Sequence, residues 1–490
     1  ANSGYLYRPI VLKKNLDIAT VSRIEAHRKE LPGVTIDSVP ERTYLYGTLC
    51  SHVLGYIGEV SQSELDAQEE QGDSENQTNY KLGDLVGKVG LEKYYDQTLR
   101  GLDGYRQVEV NAGGRPVSDV KTVEPEAGNT LVLTIDTRLQ QALENAMDET
   151  IASLQRQSRS DKAGAGAGVL LNVKNGEVLA MVSRPDDNVG QQNRAVQGRY
   201  IPGSTFKPIS AVAGLEEGVI CSTDIIHATG VFTEAFGSPT CWIYNQYHGS
   251  HGNINMVDAI RVSCNYYFYE VGFRLGGGRS TGYSSDRALA ALSKYAAMFG
   301  FDHTSGMELP ESDPKISDSD GIRSAIGQGT HLYTVSQIAR YVSTIANRGT
   351  VYDLTLLDKL TDSEGNTIED YSASVYNNID IADNSWNTIQ EGMHQVAENT
   401  AAFKDLNLTI AGKTGTAQQS KSHPNHALFM GYAPYESPQI AIAIRIANGY
   451  TSANAASMAA DIFSYYFDLT DKDELLNGSA TTATSAVIND

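Results

Sequence analysis

The nine residues from Tyr200 to Pro208, Tyr-Ile-Pro-Gly-Ser-Thr-Phe-Lys-Pro, constrain this chain more than any other stretch. Gly203 suits a tight entry into a helix, and a proline at 208 is tolerated only in a first turn, where a missing N–H is not needed. A helix is therefore expected to start close to Ser204 and to continue through Ile209–Leu215. Residues three apart share a helix face with Cβ atoms about 5–6 Å apart, which brings Lys207 within reach of the Ser204 hydroxyl. A serine at the mouth of a helix with a basic group beside it has what an activated nucleophile requires.

Two further patterns follow in order, Ser263-Cys264-Asn265 and Lys413-Thr414-Gly415. The second occurs once, whereas other Ser-x-Asn triplets begin at Ser74, Ser385 and Ser452, and another Ser-x-x-Lys spans Ser312–Lys315. That rival has Pro314 directly before its lysine in an Asp-rich stretch that reads as loop, and is set aside. Lys413 lies in a strand-like run, 408–417, and the runs 426–432 and 439–447 follow across a turn at Pro434, Glu436 and Ser437. Three sequential strands of this kind predict an antiparallel meander. Glycine at 415, inside a strand, marks close approach by another backbone, such as a peptide lying along it.

In this order the three patterns resemble the signature of penicillin-binding proteins and their β-lactamase relatives. The whole chain is similar to a class B penicillin-binding protein, a monofunctional peptidoglycan D,D-transpeptidase. The likeness extends to Asn193-Arg194-Ala195, Cys241-Trp242, His251-Gly252, the run 326–329 (Ile-Gly-Gln-Gly) and the run 425–434. Before these, 51–58, 87–95 and 99–104 resemble the family's non-catalytic pedestal; this part looks closer to the elongation-type than to the septal-type enzymes. The likeness runs from about residue 5 to 468. It implies an α+β fold: a penicillin-recognising serine transpeptidase domain, an antiparallel sheet flanked by helices, over 161–470, after a mixed α/β pedestal (dimerisation) domain over 1–160. Residues 471–490, rich in Ser, Thr and Ala, are expected to be a disordered tail.

The resemblance also implies roles. Ser204 is the nucleophile and Lys207 its base, Ser263 relays a proton to the leaving amine, and Asn265 orients the substrate. Lys413 holds the substrate carboxylate with the hydroxyls of Thr414 and Thr416, beside Gly415. The oxyanion hole is the backbone N–H of Ser204 and Thr416. Implied partners are D-Ala–D-Ala stem peptides of peptidoglycan, β-lactam antibiotics, a membrane glycosyltransferase of the shape–elongation–division–sporulation (SEDS) type, and cell-shape scaffold proteins. The alternative is a β-lactam-hydrolysing or sensing protein on the same scaffold; no isolated deacylating glutamate favours it.

At 490 residues two or three domains are expected, and a formal charge of −21 argues against nucleic acid as a partner. No run of about 18 apolar residues exists. The expectation is a soluble piece of a membrane-anchored parent acting at the extracytoplasmic face of the cytoplasmic membrane.

No cofactor is expected for the chemistry. Cys221, Cys241 and Cys264 crowd with His227, His248 and His251 around the second pattern. Three readings stay open: a structural zinc held by Cys221, Cys241, Cys264 and His251 (or His248), a Cys221–Cys241 disulfide, or free thiols. Cys50 reads as a lone buried thiol, and His303, His331, His423 and His426 as packing or surface groups.

Local signals fill in the rest. Asn15 or Asp17 can cap a helix, as can Ser61 with Glu64, whereas 66–80 reads as an exposed polar loop. Asp136 caps a helix to about Leu154, and Asn175-Gly176 joins two strands, 169–173 and 178–182.

Overall fold

The computed structural model describes residues 12–36, 42–71, 80–110, 116–156, 163–185, 192–372, 374–417, 424–471 and 476. It divides into two units, residues 1–47 and 48–490. In the first, Asp17 caps a helix, Ile18–Ala26, by accepting from the Thr20 N–H at 2.6 Å. Among the described residues no helix is long and apolar enough to cross a membrane.

The second unit is organised by a five-stranded antiparallel sheet. Its strands are β1 (Gly166–Asn172), β2 (Val178–Arg184), β3 (Ala411–Ala417), β4 (His426–Ala433) and β5 (Ile440–Ile446), in spatial order β3-β4-β5-β1-β2. The expected meander is therefore present as β3-β4-β5, and the Asn175-Gly176 hairpin as β1-β2, with Gly176 at φ +74°. Hairpin and meander join where β5 pairs with β1.

Alternation along β5 sorts the two faces. Ile440, Ile442, Ile444 and Ile446 face a core built with α1 (Thr137–Arg156) and a C-terminal helix, Ser452–Tyr466. Ala441 and Ala443 face the other layer, where small side chains let a buried helix, Val335–Ala346, come close. On that second face also lie α2 (Lys207–Glu216) and α3 (Asn265–Leu275). The molecule is thus α+β, helices on both sides of one antiparallel sheet.

Helix α1 is capped by Asp136, as expected, and Gln140 ties it to β2 by exchanging hydrogen bonds with the Met181 backbone. The polar stretch read as a loop from 66 is helical as far as it is described: Gln62–Gln71 forms one helix, and 72–79 lie outside the described residues. The reason is the reciprocal cap, Glu64 accepting from the Ser61 N–H and Ser61 from the Glu64 N–H, before strong helix formers. Most of the tail from 471 also lies outside the described residues.

Candidate active site

Ser204 sits on a single 3₁₀ turn, Gly203–Phe206, and the α-helix proper begins at Lys207. This differs from a helix starting at the serine itself: two prolines, 202 and 208, bracket a turn too tight for the α-spacing. The turn is fixed from outside. Gly203 donates to the carbonyl of Gly327, and a Cβ on Gly327 would lie 1.9 Å from the Gly203 oxygen. With φ +75° as well, position 327 admits glycine alone. Phe206 packs at a tilt against His331, whose imidazole is fully buried.

The three patterns converge. Lys207 Nζ donates to Ser263 Oγ (2.9 Å), to the Ser263 carbonyl (2.7 Å) and to Asn265 Oδ1 (2.8 Å). Lys413 Nζ reaches the same Ser263 Oγ at 2.9 Å and the Thr414 carbonyl at 2.9 Å. Both lysines are 0 % exposed, and Ser263 and Ser204 are buried, at 4 % and 9 % exposed. The hydroxyl of Ser204 makes no hydrogen bond among the described residues. On β3, a Cβ at Gly415 would meet Thr205 Cγ2 at 2.9 Å and the Pro202 carbonyl at 3.3 Å, so glycine here lets the strand lie against the serine turn.

Ser263 takes a left-handed conformation, φ +51°, at the end of a short helix, Met256–Arg261. That strain turns its hydroxyl between the lysines, and nothing in the sequence announces it. Cys264 then caps α3, its sulfur accepting from the Tyr267 N–H at 3.5 Å. Sequence reasoning also missed Phe268, whose ring lies 5.8 Å from Lys207 Nζ. Its signal was its place three residues after Asn265, on the same helix face.

Beneath this turn Cys241, His251 and Cys264 form a group whose ligand atoms all lie within 4.8 Å of one another. Cys241 Sγ is 3.9 Å from Cys264 Sγ and 3.6 Å from His251 Nδ1. Cys221 does not join them: it is exposed, in the turn after α2, and all four cysteines are free, so neither the four-residue ligand set nor the Cys221–Cys241 disulfide is formed. Cys50 is buried, as expected, with its thiol pushed up by burial. Lys315 of the rival pattern pairs with Asp318 at the surface. His303 and His426 make ordinary packing and hydrogen-bond contacts, and His423 lies outside the described residues.

A buried serine turn, two lysines sharing one hydroxyl and a sheet edge against them define the class: a penicillin-recognising serine acyltransferase. The comparisons say the same. The family model described as penicillin binding protein transpeptidase domain matches residues 166–466, and the one described as penicillin-binding protein dimerisation domain matches 1–133. The chain belongs to the penicillin-binding protein transpeptidases. It is 30 % identical to the peptidoglycan D,D-transpeptidase MrdA of Salmonella typhimurium (strain SL1344), over 95 % of this chain and 79 % of that one. Among solved structures, it resembles a chain of a peptidoglycan synthase complex that coordinates polymerization and crosslinking (27 % identity, TM-score 0.73, covering 95 % of this chain and 82 % of that one). Its fold also matches Helicobacter pylori PBP2, solved in complex with MreC (24 %, TM-score 0.73, covering 92 % and 84 %).

Proposed function

We propose that this chain is a serine-type peptidoglycan D,D-transpeptidase of the elongation type, working through Ser204, Lys207, Ser263, Asn265 and Lys413. The observation that carries the reading is the single Ser263 Oγ held at 2.9 Å from both Lys207 and Lys413. Two ammonium nitrogens within two hydrogen-bond lengths of one another, with neither exposed, favour loss of one proton, since a like charge and burial both disfavour the charged form. Lys207, three residues from the nucleophile, is the one that serves as base.

The steps then balance. Neutral Lys207 takes the Ser204 proton as Oγ attacks the carbonyl of the D-Ala–D-Ala bond. The backbone N–H groups of Ser204 and Thr416 hold the oxyanion, each donor contributing about 3 kcal/mol by analogy with other acyl-transfer sites. Collapse breaks the peptide C–N bond, and Ser263 passes its proton to the departing D-Ala amine while Lys207 hands Ser263 the proton it took from Ser204. The acceptor amine of a second stem peptide attacks the acyl-enzyme and forms the cross-link, and the proton it gives up ends on Ser204 Oγ as the ester C–O bond breaks. Lys413, Thr414 and Thr416 hold the terminal carboxylate, and Asn265 orients the donor amide. The chemistry uses side chains and backbone alone. A β-lactam mimics the donor and stays on Ser204.

The likeness to a chain of a peptidoglycan synthase complex supports a glycan-polymerising membrane partner, and cell-shape scaffold proteins are the second partner class. The site of action is where peptidoglycan lies, outside the cytoplasmic membrane. A pedestal over 1–160 and a catalytic domain over 161–470 form the working division, except that α1, although inside 1–160, packs on the catalytic sheet and belongs with it.

A structural zinc at Cys241, His251 and Cys264 is the finer proposal. A tetrahedron with Zn–S near 2.3 Å and Zn–N near 2.0 Å has edges of about 3.8 and 3.5 Å. The observed 3.9 and 3.6 Å fit it. The ion would brace the Ser263 turn, its fourth position left to a ligand outside these three residues. Purified protein should hold one zinc per chain by elemental analysis, lost in Cys264→Ser; a metal-free wild type rejects the site.

The deciding experiment for the main reading is intact-protein mass spectrometry after brief exposure to benzylpenicillin. A lasting adduct mapped to Ser204 and absent from Ser204→Ala supports it. Turnover of the drug without an adduct assigns the chain to hydrolysis instead.

A further inference from the structure

Arg445 interrupts an otherwise apolar strand, Ile-Ala-Ile-Ala-Ile-Arg-Ile, and its side chain is 7 % exposed. It faces the same side of the sheet as Ala441 and Ala443, two strands in from β3, in the row Gly415–Leu428–Arg445–Ala167. Buried guanidinium groups are normally paired with carboxylates. This one is not: its Nε is buried without a hydrogen-bond partner, and its side chain makes no hydrogen bond or ion pair among the described residues. Its one contact of note is the Tyr200 ring, 3.6 Å from the guanidinium carbon to the centroid.

The surroundings sharpen the point. The chain carries 59 acidic residues against 38 basic ones, yet among the described residues the charged side chain that acts on Arg445 is another cation, Arg194. Burial, with repulsion from Arg194, pushes the guanidinium down to about 10, so it keeps its proton at neutral pH. It lines a small recess together with Tyr200, Pro202, Thr205, Leu428 and Phe429. Tyr200 and Pro202 lead directly into the serine turn, and Tyr200 is pinned by backbone bonds to Tyr333.

We propose that the Arg445 recess is a binding site for one small monovalent anion of halide size, with chloride its natural occupant. A single uncompensated charge calls for a single counter-charge, and walls otherwise apolar, with few free donors, exclude a strongly hydrated dianion such as phosphate. The anion would satisfy Nε and offset the repulsion from Arg194. This site is separate from the Ser204 chemistry and stands whether or not that reading holds.

Two measurements test it. Crystals of the protein soaked in sodium bromide should show an anomalous peak at hydrogen-bonding distance from the Arg445 guanidinium. In solution, the ³⁵Cl line of sodium chloride should broaden with added protein, with the excess lost in Arg445→Met and largely retained in Arg445→Lys. A recess without a bromide peak, or broadening that survives Arg445→Met, overturns the proposal. If Arg445→Met fails to fold, the bromide peak in wild-type crystals decides alone.

Discussion

At the scale of single residues, the shared hydroxyl of Ser263 makes sharp demands. Replacing it with alanine leaves Lys207 and Lys413 facing each other without their bridge. Acylation by a chromogenic cephalosporin, followed by stopped flow, should slow by about 10²–10⁴-fold in Lys207→Met and in Ser263→Ala, the range for loss of a positioned proton-transfer group. Asn265→Ala should instead weaken donor binding more than it slows chemistry. His331 carries a pH signature of a different kind. Burial holds its imidazole down at about 4, against 6.5 for an ordinary histidine. The folded state thus keeps it neutral while the unfolded chain takes up a proton below 6.5, so the stability it contributes is complete above that pH and drains away as pH falls toward 4. The loss amounts to about 3 kcal/mol. Urea midpoints between pH 7 and 4.5 should fall more steeply for the wild type than for His331→Phe. Much at this scale was legible: the three patterns needed no structure to be found. What was hidden was conformation, since the left-handed turn at Ser263 and the 3₁₀ geometry at Ser204 depend on distant neighbours such as Gly327.

At the scale of elements, the serine turn, β3 and the loop at 326–329 form one unit held by missing Cβ atoms. Gly327→Ala would force a methyl to 1.9 Å from the Gly203 oxygen at a positive φ. The cost should exceed about 3 kcal/mol, read as a fall in Tm together with loss of the penicillin adduct. Gly415→Ala is milder, because the 2.9 Å contact is to a side-chain methyl; it should chiefly slow acylation. Helices and hairpins were foreseeable from caps and turn residues, as at Asp136 and Asn175-Gly176. The polar stretch after Ser61 was misjudged because its composition resembled a loop, while its cap and its Glu and Gln content specified a helix. The cysteines were half legible: spacing singled out the region, but only the fold could separate exposed Cys221 from the buried pair.

At the scale of the whole molecule, the segment that follows residue 47 and the five-stranded sheet meet through a buried charge cluster. Glu144 on α1 accepts from the Cys50 N–H at 2.8 Å and pairs with Arg184 of β2 at 2.9 Å, and both side chains are 9 % exposed. Breaking one partner of such a pair costs about 3–5 kcal/mol. Arg184→Met should therefore lower the Tm more than any surface charge change, and limited proteolysis should then cleave first near residues 48–60. Sheet order was the part that local sequence could not convey, because the pairing of β5 with β1 joins segments far apart in the chain. That closure has a consequence in time. A chain made from its N-terminus completes β1 and β2 and then waits roughly 250 residues for Ile440–Ile446; at 5–20 residues per second this is roughly 10–50 s. For that interval an apolar strand edge stands open, with its only proper neighbour not yet synthesised. Until the neighbour arrives, the nascent protein depends on being kept from pairing with anything else.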